Sequence, residues 1–363
     1  MIDVLIVGGG PVGLAAAIGA RLAGLTVTVI EPRVGPIDKA CGEGLMPGAV
    51  PLLSRLGVQP AGRELRGIRY SDGRRSVEHL FTAGAGLGVR RTALHAALAG
   101  RAGELSIDIQ HGKVSGIKQD DRSVTAIVSA GAAGAAGSAI SASSASSSGT
   151  SAIRARWLLG CDGLHSSVAV LAGLAQPAPI SGRRYGIRQH YAMAPWDDLV
   201  EVHYGPHAEL YVTPVAADLV GIAVLGRQGA EFDAALAAVP AVADRLRGAE
   251  IASERRGAGP LRRRTTARSA GRVLLVGDAS GYVDAITGEG LRLGFAQAAA
   301  AVGAIVAEKP SGYEREWRAI TRDFRLLTSG LVWWAGSPMR GSIVPVAARL
   351  PRLFGAVVER LAR

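Results

Sequence analysis

The apolar pattern opens with a short run, "IDVLIV" (residues 2–7), of the length of a buried strand. A glycine-rich break, "GGGPVG", leads into small and apolar residues that continue to Leu25 at helical spacing, and "TVTVIE" (26–31) reads as a second strand. Strand, helix and strand follow one another in a single βαβ unit. Residues 45–57 predict a short helix with proline where a first turn tolerates it. Two alternating segments around "SDG" predict a strand–turn–strand over 65–80, and "RRTALHAALAGRAG" (90–103) predicts a helix.

Four alternating segments between 180 and 225, "YGIRQHYAM", "LVEVHYG", "AELYVTPV" and "LVGIAVL", predict antiparallel strands of a second sheet. "GRVLLVGDAS" (271–280) returns to a strand followed by a turn. "GEGLRLGFAQAAAAVGAIVA" (288–307) predicts a helix buried on most sides, and the last fifty residues read as helical. The stretch 129–152 consists almost wholly of Ser, Ala and Gly. It has nothing large to bury and reads as a surface loop at a hairpin tip, flanked by strands of one small sheet.

Composition adds limits. A chain of 363 residues suggests two domains, and 48% hydrophobic with 20% charged residues belongs to a globular protein. Two cysteines, Cys41 and Cys161, make neither a disulfide framework nor a metal site, and they fit a reducing, cytoplasmic setting. The N-terminus lacks a basic region before its apolar run, so it does not read as a signal peptide. No apolar run approaches the roughly 18 residues of a spanning helix. The net charge of +11 suits an anionic ligand; its densest cluster, 256–269, lacks the interleaved aromatics of a nucleic-acid module. No nucleic-acid partner is expected.

Three signals carry the chemistry. Gly8, Gly10 and Gly13 fit G-x-G-x-x-G: a tight turn, a close backbone approach to a pyrophosphate, and close packing of helix on strand. Glu31 ends the next strand, where a carboxylate can accept hydrogen bonds from both ribose hydroxyls. Asp162-Gly163 in "LLGCDGLHSSV" and Gly277-Asp278 in "VLLVGDAS" each follow a strand far downstream. A simple nicotinamide dehydrogenase needs neither return to the nucleotide fold.

On these motifs the chain resembles, over essentially its whole length, the FAD-dependent class A aromatic hydroxylase superfamily, which includes geranylgeranyl reductases and flavin-dependent halogenases. The resemblance implies an α/β fold: a Rossmann-like FAD-binding domain (1–70, 90–175 and 270–310), a β-sheet substrate domain (71–89 and 176–269) and C-terminal helices (311–363). It implies that the glycine motif and Glu31 hold the ADP half of FAD, that Arg33 also touches the cofactor, and that Gly42, in "CGEGL", lies by the isoalloxazine. Asp162 and Gly163 would lie near the pyrophosphate, and Gly277 and Asp278 near the ribityl chain. Arg91, with Arg90 beside it, would face the phosphates. Amides from Gly288, Gly290 and Leu291 would face the flavin, where they stabilise its reduced charge.

The type of reaction is divided. Gly281 stands where hydroxylases carry histidine and Ala285 where proline is usual, while "TGEG" and "CGEGL" resemble the reductases. "ELYVTPV" lacks the reductases' W-x-F-P segment and looks more like a hydroxylase sheet; the halogenase tryptophan motif is missing as well. The expectation is a monooxygenase using NADPH or NADH transiently, acting on a hydrophobic aromatic, phenolic or polyketide-like substrate, with a double-bond reductase as the alternative. Three residues are catalytic candidates. Cys41 would wall the flavin or act directly, Tyr211 would hydrogen-bond a phenol or line an apolar pocket, and Glu289 would orient substrate or hold its loop. Trp333, Trp334, Phe324 and the basic C-terminal run suggest a hydrophobic substrate, peripheral membrane contact or a packed helical layer.

Overall fold

The computed structural model describes residues 1–129, 150–177 and 182–363. Most of the low-complexity stretch lies outside the described residues. Its edges, Ser129 and Thr150, are paired across an antiparallel hairpin formed by Val124–Ser129 and Thr150–Gly160.

The first sheet has a parallel core. Val273–Leu275, Thr150–Gly160, Ile2–Val7, Val27–Glu31 and Asp108–His111 lie side by side in that order. Parallel strands covered on both faces must be apolar throughout, which explains why "VLIV" and "VTVIE" do not alternate. The helices Pro11–Leu22, Arg91–Glu104 and Gly290–Val306 cover one face, and Leu14, Ile18, Leu98, Phe295 and Ala301 form the core there. Small side chains let the Pro11–Leu22 and Gly290–Val306 helices approach closely.

The second sheet is mostly antiparallel. Arg184–Ala192, Leu219–Arg227, Ala208–Ala216 and Leu199–Tyr204 are neighbours in that order, as their alternation predicts. Leu199–Tyr204 then pairs in parallel with Gly67–Ser71, whose hairpin partner is Ser76–Leu80. This corrects one boundary. Gly67–Ser71 belongs to the second sheet, not to a first domain running to residue 70, because its hydrogen bonds go to Leu199–Tyr204.

The C-terminal helices Pro310–Ala335, Ile343–Arg349 and Pro351–Ala362 pack across both sheets. Phe354 meets Tyr70 edge-on at 4.9 Å, and Glu359 lies 2.9 Å from His79. Phe324 is buried, Trp334 is partly buried, and Trp333 is exposed. Among the described residues no single helix is long and apolar enough to cross a membrane.

Candidate active site

The glycine turn at the end of Ile2–Val7 is closed on one side and open on the other. Gly8 has φ +105°, and a side chain on it would strike the Cys161 carbonyl oxygen at 2.6 Å. A Cβ on Gly13 would lie 1.8 Å from the Gly8 oxygen. Gly10 differs: nothing lies within 4 Å of a Cβ built there, and it faces a cleft of about 550 Å³. The cleft therefore meets the start of the Pro11–Leu22 helix at bare backbone, as an anion site requires.

Glu31 closes this end. Its carboxylate is buried and accepts from the Gly9 amide at 2.7 Å and from the Arg33 side chain at 2.6 and 3.1 Å. Arg33, expected at the cofactor, lines the cleft while its guanidinium is paired with the acid. His95 supports the turn from behind, donating Nε2–H to the Gly9 carbonyl at 3.0 Å; burial lowers its pKa and keeps it neutral.

Asp162 lines the same cleft. Its Oδ2 accepts from Ser167 Oγ and the Val168 amide, both at 3.1 Å, whereas its Oδ1 is buried without a partner. Gly163 beside it has φ +79°. The Nε atoms of Arg90 and Arg91 are also buried and unpartnered. Gly277 turns at φ +66° and donates its amide to Gln297 at 2.7 Å, which leaves Asp278 on the cleft wall. Gly288, Gly290 and Leu291 line the cleft where the Gly290–Val306 helix begins.

Glu289 sits just before that helix and is buried. Its Oε2 accepts from Arg292 Nε at 2.5 Å. Burial raises its pKa to about 7, against the pull of Arg292. It holds the loop to the helix; it is not among the residues facing the cleft.

Cys41 lines the cleft and is half-buried, with Sγ accepting from the Glu43 amide at 3.4 Å. Among the described residues no group could hold a metal ion. What fixes Cys41 in place is the ionic chain on either side of it. Arg188 pairs with Asp38; Glu43, at a left-handed φ of 59°, approaches His190 Nε2 at 2.6 Å and accepts from the Arg91 amide at 2.8 Å. The Arg188 and His190 nitrogens also meet, at 3.0 Å, and Ser253 Oγ lies 2.8 Å from His190 Nδ1. Thr213 Oγ1 donates to the Gly42 carbonyl at 2.8 Å. The second sheet thus holds the Asp38–Glu43 loop at three points, Asp38, Gly42 and Glu43. The sequence reading assigned none of Asp38, Glu43, Arg188 and His190. Arg184, Arg188 and His190 fall on one face of their strand at the two-residue period, and three basic side chains on a strand face otherwise destined for burial were the available signal.

Tyr211 lines the cleft, but its hydroxyl donates to the Ile286 carbonyl at 2.9 Å. Burial raises its pKa well above the usual phenol range and Glu209 adds to this, so the proton stays on the oxygen at neutral pH. The hydroxyl proton expected to meet a substrate is therefore already committed to the loop. A second missed tie lies beneath it: Arg184 contacts Glu209 and reaches Asp284 at 3.1 Å, fastening the residue 282–288 loop to the second sheet. Burial lifts Asp284 to about 6.

These residues fit a flavin dinucleotide. The open Gly10 and Gly42 positions, the orphaned Asp162 oxygen and the unpartnered Arg91 side chain all lie along one continuous cleft.

The comparisons agree. Residues 1–318 match the model of the FAD binding domain family, and the chain belongs to that family. It is 54% identical over 56 residues to a menaquinone reductase of Mycolicibacterium smegmatis, covering 15% of this chain and 14% of that one. It is 32% identical over 179 residues to a rifampicin monooxygenase of Rhodococcus hoagii, covering 47% and 33%. The matches span at most about a third of these relatives' own lengths. A flavin-dependent brominase superposes with a TM-score of 0.81 at 17% identity, covering 100% of this chain and 94% of that one, a likeness of fold alone. The expected architecture and the FAD cofactor therefore stand.

Proposed function

We propose that the protein is an FAD-dependent monooxygenase that uses NADPH or NADH and acts on a hydrophobic aromatic, phenolic or polyketide-like substrate. One observation carries this reading. The cleft that begins at the glycine turn continues, past Cys41 and Tyr211, into an apolar chamber walled by Met46, Ile68, Val200, Leu225 and Leu261. A rifampicin monooxygenase among the relatives supports the same class.

FAD, when bound, supplies electron exchange with the nicotinamide nucleotide and the activation of oxygen. The glycine turn, Glu31 and Asp162 would hold its nucleotide half. Asp278 and the amides at Gly288, Gly290 and Leu291 would hold the other end. The chain's own work is orientation and exclusion of water. The gripped Asp38–Glu43 loop forms one wall, the Tyr211–Ile286 contact sets another, and the apolar chamber keeps the substrate dry.

The second reading, a flavin-dependent double-bond reductase, is favoured by the 54% identical segment shared with the menaquinone reductase. The two are separated by product mass. FAD-loaded protein would be incubated with NADPH or NADH and candidate phenols and quinones, with and without isotopically heavy oxygen gas. A product heavier by one labelled oxygen atom and lost under nitrogen supports oxygenation. A product heavier by two hydrogens and made under nitrogen overturns it in favour of reduction.

A further inference from the structure

Exposed apolar side chains concentrate at one end of the chain. Of the fourteen large ones exposed among the described residues, five lie between 326 and 353: Leu326, Trp333, Met339, Leu350 and Leu353. Trp333 is 70% exposed, although its neighbour Trp334 is tied down by Nε1–H bonds to the Met339 carbonyl and Ser342 Oγ at 3.1 and 3.0 Å. Leu326 and Trp333 are two turns apart on one helix. They share its outer stripe, opposite the buried Thr321, Phe324 and Thr328.

The corner between the last two helices concentrates this further. The segments Pro338–Arg349 and Pro351–Ala362 bend by 101° across Leu350, and Arg349, Leu350, Pro351, Arg352 and Leu353 are all exposed. By composition the pair is apolar enough to enter a bilayer. Its inner side is already committed: Ile343, Val344, Phe354 and Val358 are buried in the same core as Met46, Ile68 and Val200 of the chamber wall. The pair can therefore lie on a bilayer but not cross it. A Cβ on Gly48, two residues after Met46, would lie 2.3 Å from the Arg363 carbonyl carbon. The last helix thus ends tight against the segment that lines the chamber.

Charge selects the kind of surface. Residues 324–363 hold six arginines and one acid, Glu359, which is turned inward to His79. Arg349 and Arg352 form no ion pair among the described residues. Leucines alternating with arginines suit an interface where apolar tips sink and the guanidinium groups stay with headgroup phosphates. An exposed tryptophan on the same helical layer adds an aromatic anchor. A second copy of the chain would bring like charges together, and a nucleic acid would leave the leucines unused.

We propose that this corner, together with Trp333, docks the protein on an anionic phospholipid bilayer, one helix layer from the substrate chamber. The docking does not depend on which reaction the flavin carries out.

The test uses FAD-loaded full-length wild type, R349Q/R352Q, L350Q/L353Q, W333F and the control R74Q/R75Q. The control removes two exposed arginines from the turn between Gly67–Ser71 and Ser76–Leu80. Flotation would be measured with vesicles of phosphatidylcholine alone or mixed with phosphatidylglycerol, on variants of wild-type flavin content and melting temperature. Wild type should float with the anionic vesicles and not with the neutral ones. R349Q/R352Q should bind about 25-fold more weakly, about fivefold per arginine. L350Q/L353Q should also weaken, and R74Q/R75Q should bind as wild type does. Brominated lipid should quench the tryptophan emission of wild type more than that of W333F. Failure of the wild type to float with anionic vesicles overturns the proposal. So does a loss in R74Q/R75Q equal to that in R349Q/R352Q, which would assign the attraction to the overall charge of +11. A lipid-free dimer in analytical ultracentrifugation that L350Q/L353Q dissolves would give the corner to a second copy and overturn it as well.

Discussion

His190 and Glu43 meet across the boundary between the two sheets, Nε2 to Oε2 at 2.6 Å, and neither side chain reaches solvent. Their contact holds the loop that carries Cys41, although Glu43 must take a left-handed backbone conformation that costs about 1–2 kcal/mol for a residue with a Cβ. Replacing His190 by leucine takes the partner from the buried Glu43 Oε2, while Oε1 keeps the Arg91 amide. A hydrogen bond to a charged group of this kind contributes about 1.5–3 kcal/mol. The H190L protein should unfold at lower denaturant and release FAD faster. A double-mutant cycle with E43Q isolates the contact. A coupling energy near zero would mean that the loop is held by other contacts.

Gly10 and Gly13 make a sharper pair of experiments. A methyl group at Gly13 would lie 1.8 Å from the Gly8 carbonyl oxygen, and that backbone cannot retreat because Gly8 itself is packed on Cys161. G13A should lose several kcal/mol or fail to fold, beyond the roughly 1–3 kcal/mol of ordinary overpacking. At Gly10 nothing stands within 4 Å, so G10A should fold with a wild-type melting temperature. Its methyl group projects into the space of the cleft, and visible flavin absorbance after purification should drop sharply. Equal flavin content in G10A and wild type would place the dinucleotide elsewhere.

Tyr211 reads from the sequence as a residue that could donate to a phenolic substrate, and the structure gives that proton to the Ile286 carbonyl. Y211F should therefore cost about 1 kcal/mol of stability, the usual worth of one hydrogen bond. Turnover per bound flavin should fall by no more than about fivefold, which is the rate equivalent of that energy. Steady-state assays on the flavin-replete variant check this. A loss of several orders of magnitude at unchanged stability would show the hydroxyl working on the substrate.

The strands and helices were legible where pattern and burial coincide. "VLIV" at the centre of a covered parallel sheet can only be apolar, and the alternation in 184–227 divides an antiparallel sheet into two faces, each packed on its own core. The glycine turn was legible because its geometry excludes any side chain at Gly8 and Gly13. What stayed hidden are the long-range ionic ties. Asp38 and Arg188 are 150 positions apart, and Arg184 meets Asp284 across 100. Each looks like an ordinary surface charge until the fold brings its partner in. The Gly67–Ser71 boundary was missed for a related reason, since a local hairpin does not reveal which sheet its outer edge will join.

Glu289 supplies a pH test whose sign can be worked out. Its carboxyl ionises at about 7 in the folded protein, raised by burial from the ordinary 4.5. Between those values the folded protein holds a proton that the unfolded chain has released, so the free energy of unfolding falls as pH rises. Below the lower value both forms are protonated, and above the upper value both are ionised, so the dependence vanishes at each end. Asp284 contributes in the same direction between 3.8 and about 6. Glutamine at 289 imitates the protonated acid at every pH. E289Q and wild type should therefore have similar stability near pH 5, and the variant should gain on the wild type as pH rises to about 7 and hold that lead above it. Urea denaturation of the FAD-loaded proteins across this interval reads the difference directly. Parallel curves would show Glu289 already ionised at the acid end, with the Arg292 contact outweighing burial.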